Sequence, residues 1–331
     1  MAKTRNASAS KKAWDFQFNA AIILTLSHIT DVDQIKVEGE SEDIELYLND
    51  NSVILSQAKF VEIIDDYRNV LRNLIDALSG LNKESISTNV TKTIYITNTP
   101  NPLNNMRTVG FYSGFKNLEF KELPSSDQKK IENIISKSKL SELNLDRLEI
   151  WILPFHGTGD NLFSSVREQL YYFLEDIEET RGIGNKLLKI WQNKYSENAS
   201  HRKVKIKKKE LVWPIIVLVC ENPSIDVYLD GIDPAVQSQL RASYAGFMNT
   251  MTEKFEFANK VISTYNEQVK SVIPLEKDFD DFIENNWTDF LEDFKIPEIE
   301  ESHLEVIAKL IIRNILTKRF VIQSVKRKVN L

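Results

Sequence analysis

The sequence predicts an α/β protein with a mixed β-sheet, followed by a mainly helical C-terminal region. Short runs of alternating apolar and polar residues, bounded by turn residues, predict strands. Apolar residues at helical spacing predict helices beside those strands, and helical spacing predominates after residue 232. The length of 331 residues favours two domains. We expect them at 1–222 and 223–331, because the composition turns acidic near Pro223.

The N-terminal part predicts the order helix, three strands, helix, strand. The first helix is expected at Ala13–His28, and the second at Val61–Leu81. The predicted strands are DQIKVE, DIELYL, SVILSQAK and KTIYITNT, and the turns GESE and NDN between the first three are rich in hairpin-turn residues. A hairpin followed by a helical crossover to another strand produces a mixed sheet.

Two later segments leave alternatives open. The segment KKELVWPIIVLVC forms either a buried strand or a buried helix, and its β-branched residues favour a strand although Pro214 weakens that choice. The apolar-rich helix expected at His303–Gln323 either closes the local core or docks a partner. RLEIWILPF, at Arg147–Phe155, predicts a further strand of the same sheet.

The composition excludes several classes of protein. Cys220 is the single cysteine, which excludes a disulfide framework and a cysteine-based zinc site. The longest strongly apolar run, Leu211–Cys220, is about half of the ~20 residues that a membrane-spanning helix needs. The N-terminus has no apolar core of a targeting signal. We therefore expect a soluble, cytoplasmic protein without a membrane partner.

A basic run, HRKVKIKKK, stands out in a chain whose net charge is −6. It could contact DNA phosphates, or it could be a solvated edge strand whose lysines block pairing with another sheet. The candidate DNA-binding residues are Arg202, Lys203, Lys205, Lys207 and Lys209.

The hairpin EDIELYLNDNSVILSQAKF carries the candidate active site. Alternation places Asp43 and Glu45 on one face of the first strand, and Gln57 and Lys59 on one face of the next. Hairpin pairing can bring the start of the first strand beside the end of the second, so Asp43 is expected within reach of Gln57 and Lys59. Oxygen ligands of this kind hold Mg²⁺, and a lysine beside them stabilises negative charge on a phosphate.

This arrangement, Asp43 followed after 13 residues by Gln-Ala-Lys, resembles the PD-(D/E)XK nuclease superfamily. The stretches FQFNAAIILTL, VEGESEDIEL, LSQAKF and YITNT together look like the double-stranded-DNA nuclease domain of anti-phage effectors. That domain occurs in CBASS-type effectors and in the nuclease subunit of Lamassu systems. The resemblance covers Trp14–Thr99 well and continues loosely to Glu221. It implies a restriction-endonuclease-like core, αβββαβ.

The resemblance also implies roles for individual residues. Asp43 matches the central metal ligand, Gln57 the (D/E) position and Lys59 the catalytic lysine, while the backbone carbonyl of Ala58 contributes a further ligand. The implied cofactor is Mg²⁺ or Mn²⁺. Because glutamine is neutral, Gln57→Glu is expected to keep or raise the affinity for the metal.

Two more polar residues match positions that the superfamily uses near the site. Gln17 lies where many members have a helix glutamate near the metal or the DNA phosphate, and Glu38 matches an acidic residue that some members add. Each could instead be an ordinary surface residue. Glu45 is expected to be structural.

The implied function is a metal-dependent, largely sequence-nonspecific endonuclease acting on double-stranded DNA. Its biology would be anti-phage or anti-plasmid defence, with the nuclease held inactive until an SMC-like ATPase partner releases or assembles it, and with a homo-oligomer as the active form. The alternatives are a non-catalytic interaction subunit with a degenerate nuclease fold and a stand-alone restriction-type nuclease.

Overall fold

A computed structural model describes most of the chain as two compact units. The described residues are 3–39, 41–64, 66–87, 89–177, 181–201, 203–220, 233–249, 254–269, 276–294 and 301–331. The first unit comprises Met1–Leu174 with Leu188–Lys208, and the second comprises Glu175–Leu187 with Lys209–Leu331. The predicted domain boundary between residues 222 and 223 lies outside the described residues.

The first unit contains a seven-stranded mixed sheet. Its strands are β1 Val32–Val37, β2 Ile44–Leu48, β3 Val53–Lys59, β4 Val90–Thr97, β5 Lys116–Glu119, β6 Leu148–Ile152 and β7 Ile206–Lys207. Their order is β5-β6-β4-β3-β2-β1-β7, with β3, β4 and β6 parallel and the other neighbours antiparallel. The helices that precede or separate these strands in the sequence are α1 Lys3–Ser27, α2 Val70–Glu84, α3 Ser125–Ser138, α4 Ser164–Asp176 and α5 Gly184–Ala199. The predicted mixed sheet and the predicted element order are confirmed.

The two faces of the sheet bury alternate residues, as the period of a strand requires. On one face, Leu55, Tyr95 and Ile150 form one apolar core with residues of α2 and α3. Their neighbours along the strands, such as Ile54 and Trp151, are also buried. These neighbours face the side on which α1 contacts the hairpin strands β1, β2 and β3.

The second helix begins nine residues later than predicted, at Val70 instead of Val61. The side chain of Asn98, just after β4, accepts a hydrogen bond from the Val61 N–H at 2.7 Å and donates one to the Val61 carbonyl at 2.8 Å. These bonds hold the chain in a non-helical conformation after β3. Ile63, which the helical spacing placed on an apolar face, is 62% exposed.

The segment KKELVWPIIVLVC is a helix, α6 Lys208–Cys220, so the preference for a strand was wrong. Its residues from Leu211 to Cys220 are almost all buried. Burial on every side of the helix removes the periodic signal that distinguishes a helix from a strand, and packing outweighs the β-propensity of its valines and isoleucines.

The second unit is helical, as predicted. Besides α6 it contains the helices Pro234–Asn249, Lys254–Gln268, Glu276–Asn286, Glu301–Thr317 and Arg319–Val329. The single helix predicted at His303–Gln323 is two helices, of which the first buries Leu310 and Ile311 against its neighbours in this unit. This apolar face therefore closes the local core, and the docking alternative does not apply to these two residues. Among the described helices none is both long and apolar enough to cross a membrane.

Candidate active site

The start of β2 and the end of β3 bring a carboxylate and an ammonium group together. Ile44 pairs with Ser56 in the antiparallel register, which places the residue before β2 beside the last residues of β3. Asp43 Oδ2 accepts a hydrogen bond from the Ala58 N–H at 2.9 Å and lies 3.3 Å from Lys59 Nζ. Their side chains are 21% and 30% exposed, so solvent reaches both. Asp43 and Lys59 thus lie together as expected, while their catalytic roles stay predictions.

Gln57 makes its contact with Glu42, a residue that the sequence did not single out. The Gln57 amide nitrogen donates to Glu42 Oε2, and no hydrogen bond joins Gln57 to Asp43. Glu42 is 4% exposed, and its other oxygen, Oε1, is buried without a hydrogen-bond partner in the described structure. Gln57 and Glu42 therefore form a carboxyl–amide pair beside the Asp43–Lys59 pair, and the role of Gln57 as a metal ligand stays a prediction.

Burial raises the pKa of the Glu42 carboxyl to about 7, because the charged form loses hydration. The hydrogen bond from Gln57 acts in the opposite direction, and the negative charges of Asp43 and Glu84 raise the pKa further. A carboxyl group of this kind costs stability when it is ionised, which makes Glu42 the electrostatically unusual residue of the hairpin.

Gln17 and Glu38 form a separate pair that reaches Asp43 only through its backbone. Gln17 Nε2 donates to Glu38 Oε1 at 2.6 Å and to the Asp43 carbonyl at 3.2 Å. Glu38 has a φ of 53°, and its N–H also donates to the Asp43 carbonyl. Gln17 is 7% exposed. The reading of Gln17 as an ordinary surface residue was therefore wrong, and its amide ties α1 to the turn that carries Asp43.

Glu45 is structural, in agreement with the expectation from the sequence. Its carboxylate accepts hydrogen bonds from the Ser41 N–H at 3.0 Å and from the Tyr47 hydroxyl at 2.6 Å. A Cβ atom on Gly39 would overlap this carboxylate. Glu45 thereby closes the turn between β1 and β2, and Gly39 leaves the space that the closure needs.

We expect Gly39→Ala to destabilise the protein by roughly 1–3 kcal/mol, because it displaces a buried carboxylate from its donors. Chemical denaturation of the purified variant measures the change. Gly110→Ala is the matched control, because a Cβ atom there meets no atom within 4 Å. An unchanged free energy of unfolding for Gly39→Ala would show that the turn closes without Glu45.

The basic run only partly forms the expected edge strand. β7 contains just Ile206 and Lys207, and it pairs with β1 at the edge of the sheet. Lys205 Nζ lies 3.3 Å from the centre of the Tyr47 ring, a cation–π contact. Lys209 forms an ion pair with Glu256. Lys203 is exposed, whereas Arg202 lies outside the described residues.

A groove of about 550 Å³ lies immediately after Lys59 in the chain, where residues 60–63 meet the first turns of α2. Its lining includes the acidic side chains of Glu62, Asp66 and Asp76 against the cationic side chain of Arg72. This excess of carboxylates does not favour a phosphate, so the groove is a poor candidate for the path of a DNA backbone.

The donor atoms beside Asp43 fit a divalent cation that prefers oxygen. Asp43 uses Oδ2 for its contacts, and Gln57 uses its amide nitrogen. Within the described residues, Asp43 Oδ1 and Gln57 Oε1 therefore keep their lone pairs for a ligand. Carboxylate, amide and carbonyl oxygens are the usual ligands of Mg²⁺ and Mn²⁺. The described part of the chain holds no cluster of three or more His, Cys, Asp or Glu residues suited to a metal.

Comparisons with known proteins identify structural likeness at a low level. No protein-family model and no curated protein matches this chain. The solved Cap4 SAVED/CARF-domain containing receptor of Moraxella osloensis is 16% identical, with a TM-score of 0.40, over 64% of this chain and 48% of the receptor. The Acinetobacter baumannii Cap4 receptor with the cyclic trinucleotide 3'3'3'-cAAA is 14% identical, with a TM-score of 0.41, over 69% and 46%. The chain thus spans about half the length of these receptors, and TM-scores this low assign it no activity.

Proposed function

We propose that this protein is a metal-dependent endonuclease that cleaves double-stranded DNA with little sequence preference. The observation that supports it best is the meeting of the Asp43 carboxylate, the Ala58 N–H and the Lys59 ammonium at adjoining strand ends. Phosphodiester hydrolysis needs a cation held by oxygen atoms and a positive group beside the phosphate. Both requirements can be met at this one place on the surface.

Each side chain has a distinct part in this proposal. Asp43 Oδ1, Gln57 Oε1 and the Ala58 carbonyl would hold Mg²⁺ or Mn²⁺, which when bound polarises the phosphate and lowers the pKa of a coordinated water. Lys59 stabilises the negative charge that grows on the phosphate oxygens. The Ala58 N–H holds Asp43 Oδ2, which leaves Oδ1 for the cation.

Cleavage of supercoiled plasmid by the purified chain tests the proposal. We expect nicked and linear products with Mg²⁺ or Mn²⁺, and intact plasmid with EDTA. If the chain binds plasmid but leaves it intact with either cation at every protein concentration, both alone and together with the ATPase partner, the nuclease proposal is wrong. The non-catalytic interaction subunit then becomes the better assignment.

The exposed lysines near the sheet edge are proposed to bind DNA phosphates without reading sequence. We expect the triple variant Lys203→Gln, Lys205→Gln and Lys207→Gln to bind DNA more weakly, with a salt dependence shallower by about 0.9 log units per lost contact. Fluorescence anisotropy with labelled duplexes at several salt concentrations measures the slope. Lys121→Gln, an exposed lysine elsewhere, is the control. An unchanged slope would make the run a solvated edge.

We further propose an effector role in anti-phage or anti-plasmid defence, with activity released by assembly. The support is the resemblance of Trp14–Thr99 to nuclease domains of such effectors, with an SMC-like ATPase as the partner. Because Leu310 and Ile311 are buried, assembly would use other surfaces of the helical unit. Co-purification with the ATPase, and cleavage rate per chain against protein concentration, test this. A dilute monomer that cuts at full rate without the partner would refute gating by assembly.

A further inference from the structure

A glutamine that binds a cation has an orientation problem that a carboxylate lacks. The side-chain amide carries an oxygen, which can bind Mg²⁺ or Mn²⁺, and an NH₂ group, which cannot. The two ends have nearly the same shape, so packing alone does not select between them. A neutral ligand at position 57 therefore needs a neighbour that distinguishes the two ends.

Glu42 is such a neighbour. Gln57 Nε2 donates its hydrogen bond to Glu42 Oε2, so this contact holds the NH₂ end of the amide towards Glu42. The amide oxygen is then left on the side away from Glu42. Because Glu42 is 4% exposed, water does not compete effectively for this contact.

The helix α2 closes over this pair at a glycine. A Cβ atom on Gly80 would lie 3.4 Å from both carboxylate oxygens of Glu42 and 3.7 Å from Gln57 Nε2. The backbone of α2 therefore approaches the pair to within the distance that one methyl group would fill. A Cβ atom at position 80 would therefore lie at van der Waals contact with the pair.

Keeping Glu42 in this place costs stability. One of its oxygens is buried without a hydrogen-bond partner in the described structure, and an unsatisfied buried polar atom destabilises the fold. A costly group beside a candidate site is better explained by a role at that site than by the stability of the fold.

We propose that Glu42 is a positioning residue, which orients the Gln57 amide so that its oxygen faces the cation. This inference rests on the proposed function and assigns the acidic partner of the site to position 42. Two residues of this site thereby share the task of presenting an oxygen ligand to the cation, which a single glutamate at position 57 would perform alone. Gln57 supplies the ligand oxygen, and Glu42 determines which end of the amide faces the cation.

A double-mutant cycle on the full chain separates orientation from simple charge attraction. The variants are Glu42→Gln, Gln57→Met and both together, and the probe is Mn²⁺ alone, measured by isothermal titration calorimetry at pH 8.5. We expect Glu42→Gln to weaken Mn²⁺ binding about ten-fold or more, as loss of a partner behind a metal ligand commonly does. The double variant should bind no more weakly than Gln57→Met alone, because Glu42 acts through Gln57. Thermal unfolding checks that each variant is folded.

The outcomes are distinguishable. If the two single losses multiply in the double variant, Glu42 acts by charge alone and the positioning role is refuted. The role is also refuted if Glu42→Gln binds Mn²⁺ as tightly as the wild type. If the wild type itself binds no Mn²⁺, the metal site and the proposed function fail together with this inference. A supporting result is recovery of affinity in the exchanged pair, Glu42→Gln with Gln57→Glu, whereas Gln57→Glu alone sets two carboxylates against each other and gains nothing.

Discussion

Asp43→Asn is expected to slow DNA cleavage by roughly 100-fold or more, because it removes the negative charge that attracts the cation. Lys59→Met should cause a loss of similar size, because the charge growing on the phosphate loses its stabilising partner. Both substitutions nearly preserve side-chain volume. Initial rates of plasmid cleavage under conditions that activate the wild type measure the effect.

Two control substitutions match these variants in chemistry, and the first of them also matches in exposure. Asp66 is 23% exposed and paired with Arg68, close to the 21% exposure of Asp43 in its pair with Lys59. Lys121 is paired with Glu119 of β5, which is the edge strand at the other end of the sheet from β7. Asp66→Asn and Lys121→Met should therefore leave cleavage unchanged. Wild-type rates for Asp43→Asn or Lys59→Met would disprove the site assignment.

The second large effect concerns stability and pH. In the metal-free protein, Glu42→Gln is expected to raise the free energy of unfolding by roughly 3–4 kcal/mol at pH 8.5, and by almost nothing near pH 4.5. The folded protein raises the Glu42 pKa from 4.5 to about 7, so it binds this proton more tightly than the unfolded chain does. Each unit of separation corresponds to about 1.4 kcal/mol.

The sign of this pH dependence follows because the folded protein favours the protonated form of Glu42. The stability contributed by neutral Glu42 is complete below pH 4.5 and is lost as the pH rises through about 7. Glutamine cannot ionise, so the variant avoids this loss. Urea denaturation in EDTA at several pH values, compared with the wild type at each pH, measures the difference.

A buried carboxylate with partners provides the contrasting control. Glu149 is 7% exposed, but Lys92 lies 2.5 Å from one of its oxygens and the Trp151 indole donates to the other at 2.7 Å. Glu149→Gln should lower stability at pH 8.5, because Lys92 loses its charged partner. A stability gain for Glu42→Gln that does not depend on pH would contradict the assigned ionisation.

Glu42→Gln is expected to raise the free energy of unfolding at pH 8.5 and to weaken Mn²⁺ binding, so its effects on stability and on binding have opposite signs. Replacement of a residue that only supports the fold would lower both the stability of the protein and its affinity for the ligand. Opposite signs are typical of a group that is kept at a site in spite of its cost to the fold. The two measurements therefore test Glu42 more stringently together than either does alone.

Local sequence patterns were enough to predict the sheet hairpin and the proximity of Asp43 to Lys59. Both follow from local patterns, because period-2 alternation and a short turn settle which residues share a face and which strand ends adjoin. The same reasoning predicted the element order of the first unit and the helical character of the second. It also predicted a structural role for Glu45.

The different contacts of the two consecutive acids Glu42 and Asp43 could not be predicted from local patterns and follow from the folded structure. Strict alternation would send their side chains to opposite faces, but the chain bends before β2, so both reach the end of β3. Contacts between residues distant in sequence explain the two differences from the predicted secondary structure. The Asn98 side chain delays the start of α2, and burial on every side makes α6 a helix. Local spacing carries no information about such contacts, because the partners belong to elements that meet only when the chain has folded.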